Sequence, residues 1–187
     1  MANGKLVVLM GAAACGKTTA AMQLVVDLKK QGINAVYLPE SVRSVFEKRA
    51  LQGVEGPLTR PEQTVVLCKQ IEREKRLKAL YEVVVTDNPL FSAVAYGGYG
   101  DERMEHELIR MAHADLIVNV PFMKQREVAD GVRLKQTNDG RAKTHECIKG
   151  YVREYWDGPT VDLIRDAHNE SDFHALVTEV HSKLYGC

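Results

Sequence analysis

Apolar residues in this chain fall into two spacings that alternate from one end to the other. Short apolar runs read as buried strands: KLVVLM (5–10), NAVYLPE (34–40), VVVTD (83–87), DLIVNVP (115–121) and PTVDLI (159–164). Between them lie stretches with helical spacing. The first runs from Lys17 to Gln31, with Ala21, Leu24, Val25 and Leu28 on one face, Lys29 and Lys30 at the negative end of its dipole and Gly32 as its stop. VRSVFEKRAL (42–51) looks helical, QGVEGPLTRP (52–61) looks like loop, and a longer helix is expected from Glu62 to Tyr81. On that helix Glu72 with Arg76 and Glu74 with Lys78 are expected as surface pairs. A short helix is expected over Asp101–His113 with Met104, Leu108 and Met111 as core, and another over His145–Trp156. The last carries the stripe Phe173, Leu176, Val177, Val180 and Leu184, capped by Asn169 or Ser171. Strands alternating with helices predict a parallel sheet covered by helices.

The 187 residues suffice for one full core, which predicts a single domain over 1–187. Hydrophobic residues make up 45% and charged residues 27%, the balance of a globular chain. Lysine plus arginine and aspartate plus glutamate stand at 25 each, which argues against broad, non-specific binding of nucleic acid. No apolar run is long enough for a secretory signal or a membrane span. Cys15, Cys68, Cys147 and Cys187 are scattered and form no CxxC pair, as expected in a reducing compartment. These features predict a cytoplasmic protein without membrane partners, and leave monomer or homodimer open.

The chemistry begins at MGAAACGKTT (10–19). Gly11-Ala-Ala-Ala14-Cys15-Gly16-Lys17-Thr18 matches G-x-x-x-x-G-K-[ST] at every fixed position, between an apolar strand and an amphipathic helix. The glycines let successive N–H groups turn toward an anion, the small residues keep side chains out of the way, and the helix adds its positive end. Gly11, Ala14, Cys15, Gly16, Lys17, Thr18 and Thr19 are therefore the candidate ATP-binding residues. Lys17 reaches the outer phosphates, and the Thr18 hydroxyl is suited to Mg²⁺. Cys15 reads as a small filler.

Two carboxylates end neighbouring strands. Asp87, closing VVVTD, can hold Mg²⁺ or accept the proton of an attacking hydroxyl; it can equally cap a helix over NPLFSA. Glu40 closes the second strand on the same sheet edge, with a catalytic or a capping role open to it. Arg43, one turn on, suits a substrate phosphate or solvent. Asn88, not glutamate, follows Asp87, which favours transfer to a hydroxyl over hydrolysis. No N-K-x-D or L-S-G-G-Q stretch occurs.

GAAACGKTT, YLPESVR and VVVTDNPLFSAVAYG together resemble the P-loop nucleoside and nucleotide kinases, in particular the NadR-like kinases common in bacteriophages, a group that includes kinases acting on hydroxymethyluracil in phage DNA. The resemblance covers roughly residues 5–140. It implies a three-layer α/β fold with a five-stranded parallel sheet of order 2-3-1-4-5, a carboxylate near the acceptor hydroxyl, and a mobile arginine-bearing lid. The lid candidate is 121–145, with Lys124, Arg126, Arg133, Lys135, Arg141 and Lys143; Arg126 and Arg133 are the arginines expected at phosphate. GVRLKQT (131–137) departs from the family's Gly-Arg-x-Gln-Thr run by the valine after Gly131 and by two residues between Arg133 and Gln136.

The expectation is thus an ATP- and Mg²⁺-dependent kinase acting on a nucleoside, a nucleotide or a modified pyrimidine in DNA. The alternative is an NTP-hydrolysing switch with no acceptor. REKRLK (73–78) and the lid supply the basic rims that DNA needs. Phe46, Phe91, Tyr96 and Tyr99 are the aromatic residues near the expected acceptor crevice.

Overall fold

The computed structural model describes residues 4–56, 58–87, 114–122, 137–163 and 170–186. In chain order these form β1 (Lys5–Met10), α1 (Lys17–Lys30), β2 (Ala35–Leu38), α2 (Ser41–Leu51), α3 (Arg60–Lys78), β3 (Val83–Thr86), β4 (Leu116–Asn119), α4 (Asn138–Tyr155), β5 (Thr160–Asp162) and α5 (Glu170–Tyr185). The expected helix over 101–113 lies outside the described residues, as do Phe91, Tyr96, Tyr99, Lys124, Arg126, Arg133, Lys135 and Cys187.

The sheet is five-stranded and parallel, in the order β2-β3-β1-β4-β5. β1 lies at its centre, with Val7 opposite Val85 on one side and Leu116 on the other. A central strand covered on both faces reads as an unbroken apolar run, which explains LVVLM. Its side chains alternate between two cores. Val7 and Leu9 join Leu24, Leu28, Val83, Val85, Val177 and Val180 under α1 and α5. Leu6, Val8 and Met10 join Leu38, Val84, Ile117, Ile148 and Val152 under α4.

Local chemistry sets the helix ends. α1 stops where Gly32 takes φ 83°; its N–H donates to Lys29 O at 3.0 Å and that of Ile33 to Leu28 O at 3.1 Å, a Schellman closure. α3 starts two residues before the expected Glu62, because Thr59 and Glu62 close a reciprocal capping box.

Two expectations need correction. The helix expected from His145 starts at Asn138, where Thr137 Oγ1 accepts the Gly140 N–H at 3.1 Å. Its first turns look loop-like in sequence because polar Arg141 and His145 take buried positions there. Of the expected 121–145 lid, residues 138–145 are therefore helix and 123–136 lie outside the described residues. Glu74 does not form a surface pair with Lys78. It is buried and accepts from Gln70 Nε2 at 3.0 Å, while Lys78 Nζ donates to Asp115 at 3.1 Å.

Candidate active site

The carboxyl ends of β1, β2 and β3 share one edge, so whatever follows them meets in one crevice. β1 leads into the glycine loop. Gly11 takes φ 150°, and a Cβ there would lie 2.7 Å from Val120 O, so close packing against the chain after β4 demands glycine. Ala14 takes φ 56°, and Gly16 takes φ 85° at the N-cap of α1. This succession of left-handed turns leading into a helix is the geometry of an anion nest. Cys15 is fully buried and its S–H donates to Ala12 O at 3.0 Å, a packing role. Lys17 lies back over its own loop, its Nζ donating to Ala12 O at 2.6 Å. Thr19 is exposed.

Thr18 Oγ1 donates to Asp87 Oδ2, and the Tyr37 hydroxyl donates to Asp87 Oδ1 at 2.8 Å. Both oxygens of a carboxylate that is 1% exposed are thereby engaged. Burial first, then the charge of Asp87, pushes the Tyr37 phenol well above its ordinary range; the Glu40 charge adds to the rise. Tyr37 is therefore a donor at neutral pH, and Glu40 lies close enough to act on the same group. Glu40 occupies the N-cap position of α2 but makes no side-chain cap hydrogen bond; it and Arg43 are half-buried.

A polar network locks the frame behind these groups. Thr86 Oγ1 donates to Leu38 O at 3.0 Å, joining β3 to β2. Ser41 Oγ donates to Gln70 Oε1 at 2.8 Å, and Gln70 Nε2 reaches Thr86 Oγ1 at 3.4 Å. Arg73 donates to Ser41 Oγ and Pro39 O, and Lys78 bonds Asp115. Of the four cations in REKRLK, Arg73 and Lys78 therefore have partners inside the molecule, and Lys75 and Arg76 are the exposed ones.

The expected lid arginines Arg126 and Arg133 lie outside the described residues. Arg141 of the same run is buried against the glycine loop: Nε donates to Ala13 O at 2.9 Å and Nη2 to Ala14 O at 3.3 Å. One turn on, His145 lies 5.9 Å from the Phe122 ring. Burial foremost, then the charges of Lys149 and Lys17, hold His145 below its ordinary range. Sequence reasoning passed over Tyr37 and Gln70. The signal for Tyr37 was the two-residue period: it pairs with Val85, and Asp87 projects from the same face one period later.

Residues 6–170 match the sequence profile of a family described as an AAA domain. The chain belongs to that family. Known structures share the fold of this AAA-domain protein. The NadR protein in complex with NR superposes with a TM-score of 0.71 at 20% identity, over 98% of this chain and 51% of that one. NadR in complex with NAD and AMP-PNP gives 0.70 at 19%, over 97% and 50%. The AAA-domain chain thus spans about half the length of the NadR chains. Thymidylate kinase from Ehrlichia chaffeensis gives 0.64 at 16%, over 98% of this chain and the whole of that one. No curated protein sequence matches.

Proposed function

We propose that this protein is an ATP-dependent kinase that moves the γ-phosphoryl group to a hydroxyl of a nucleoside or nucleotide. The observation that carries this reading is the convergence of a phosphate loop with two carboxylates from neighbouring strand ends, Asp87 against Thr18 and Glu40 within electrostatic reach of Tyr37. The strand order is the one the kinase resemblance implies, and the NadR and thymidylate kinase structures share the fold.

The two carboxylates divide the work. The Thr18 hydroxyl and Asp87 present hard oxygen donors to one point beside the loop, which suits Mg²⁺ held mainly by phosphates and water; bound there, the ion would offset charge on the phosphate oxygens. Asp87 is committed to Thr18 and Tyr37, so Glu40 is the better placed to take the acceptor proton. The acceptor oxygen then attacks the γ-phosphorus, the bond to the bridging oxygen breaks, and ADP leaves. Lys17 and the loop amides steady the phosphates, with Arg126 and Arg133 as the arginines proposed to meet the transferring group. Arg43, one turn after Glu40, suits a phosphate on the acceptor.

Within this reading a hydroxymethyl-modified pyrimidine in phage DNA is the finer proposal. It rests on the resemblance and on the exposed Lys75 and Arg76. The competing proposal, an NTP-hydrolysing switch, draws support from the AAA-domain description of the family. Incubation with γ-labelled ATP, Mg²⁺ and, separately, nucleosides, mononucleotides and hydroxymethyl-bearing DNA distinguishes them. Label on one acceptor class names the substrate; label released solely as free phosphate overturns the kinase reading in favour of the switch.

A further inference from the structure

Arg141 comes from α4, far along the chain, yet its donors are aimed at the backbone of the glycine loop. The side chain is 6% exposed. Besides Ala13 O and Ala14 O it donates from Nη1 to Asn138 Oδ1 at 3.1 Å, and its Cζ lies 5.4 Å from the centroid of the Phe122 ring. The ring, Asn138 and the helix fix the plane of the guanidinium, and the fork meets two successive carbonyls.

A trans peptide points its C=O and the following N–H in opposite directions. Holding Ala13 O and Ala14 O toward α4 therefore turns the amides of Ala14 and Cys15 to the other side of the loop. The residue between these two peptides is Ala14, which has φ 56°. An L residue keeps that left-handed conformation only where its surroundings determine it, and here the guanidinium holds the peptides on both sides of it. We infer that Arg141 is a positioning residue, which pins the carbonyls of Ala13 and Ala14 so that the nest of loop amides stands ready for a polyphosphate before one arrives. Lysine cannot replace it, because one ammonium does not reproduce the planar fork. The inference shares with the kinase reading only the premise that the loop takes a phosphate chain.

The test uses the full chain as wild type, Arg141→Ala and Arg141→Lys. ADP, AMP-PNP and adenosine are titrated by calorimetry, and amide hydrogen exchange over residues 11–16 is followed without nucleotide. Loss of charged hydrogen bonds that order the nest should weaken ADP and AMP-PNP by roughly tenfold to a hundredfold in Arg141→Ala and leave adenosine within about twofold. Exchange in the loop should speed up in both variants, and Arg141→Lys should recover less than half of the lost affinity on a logarithmic scale. Equal weakening of adenosine would make Arg141 a wall of the base site and overturn the inference. So would unchanged nucleotide affinity, full recovery by lysine, or failure of both variants to fold, which would make the residue a staple of the fold. Should the wild type bind no nucleotide, the shared premise falls and both readings fall with it; nucleotide binding that follows the expected pattern without transfer to any acceptor would overturn the kinase reading alone.

Discussion

Among the described residues, Tyr37 and Thr18 donate to Asp87, one to each oxygen. A buried carboxylate that loses a donor keeps its desolvation penalty without compensation. Tyr37→Phe should therefore destabilise the protein by about 1–3 kcal/mol and raise the Mg²⁺ concentration needed for half-maximal transfer, because an Asp87 freed on one side no longer meets the Thr18 hydroxyl in a fixed geometry. Thermal unfolding and a Mg²⁺ titration of transfer check both halves; an unchanged Mg²⁺ requirement would leave Tyr37 a packing residue. Lys17 makes a different case. Its ammonium bonds to Ala12 O within its own loop, so Lys17→Ala removes little that holds the fold. Transfer should fall roughly a hundredfold or more with the circular dichroism spectrum retained, and wild-type turnover in that variant would refute the site. Asp87→Asn and Glu40→Gln separate metal holder from base: the first should raise the Mg²⁺ requirement, the second should abolish transfer while sparing ATP affinity.

At the level of elements, the sequence was most legible where one kind of residue filled one kind of position. The strands of a two-sided parallel sheet are plain apolar runs, and the glycine loop is a fixed pattern, so β1, β3 and the nest could be read directly. α4 was legible only from its second half, because Ile148 and Val152 mark its buried face while Arg141 and His145 occupy the same face earlier on. A charge that packs against a backbone gives no hydrophobic period. Glu74 misled in a related way: its spacing to Lys78 suited a surface pair, but it lies on the face of α3 that carries Gln70, and that face packs toward Thr86 of β3 and is buried. The start of α4 was nonetheless encoded in Thr137, whose hydroxyl accepts the Gly140 N–H. Thr137→Ala should cost about 1 kcal/mol of stability, measured by denaturant unfolding. Because Arg141 lies in the turn that this cap begins, the same change should also lower ADP affinity; Thr137→Ser should restore both.

The whole molecule brings together titratable groups that the chain keeps apart, and its stability should depend on pH accordingly. Glu74 sits in the layer joining α3 to β2 and β3, and burial raises its pKa above the ordinary 4.5 against the opposing pull of Gln70 and Lys78. Its contribution has a definite sign. Below pH 4.5 the group is protonated in both folded and unfolded chains and carries no penalty. As pH rises, the unfolded chain releases its proton first, and stability is lost until the folded pKa has been passed. His145 works in the opposite direction. Its folded pKa lies below 6.5, so its stability is complete above that pH and is lost on acidification through the folded value. Glu74→Gln keeps an oxygen able to accept from Gln70 Nε2 and cannot ionise. Its unfolding temperature should match wild type near pH 4 and exceed it by a margin that grows as pH rises above 4.5 and levels off once the raised pKa of the folded carboxyl is passed. The acidic limb from His145 should remain in that variant and disappear in His145→Gln. Unfolding temperatures taken across pH 4–8 for the three proteins decide the matter: parallel curves for wild type and Glu74→Gln would mean that Glu74 titrates normally in the fold, and that its burial between α3 and the sheet carries no electrostatic cost.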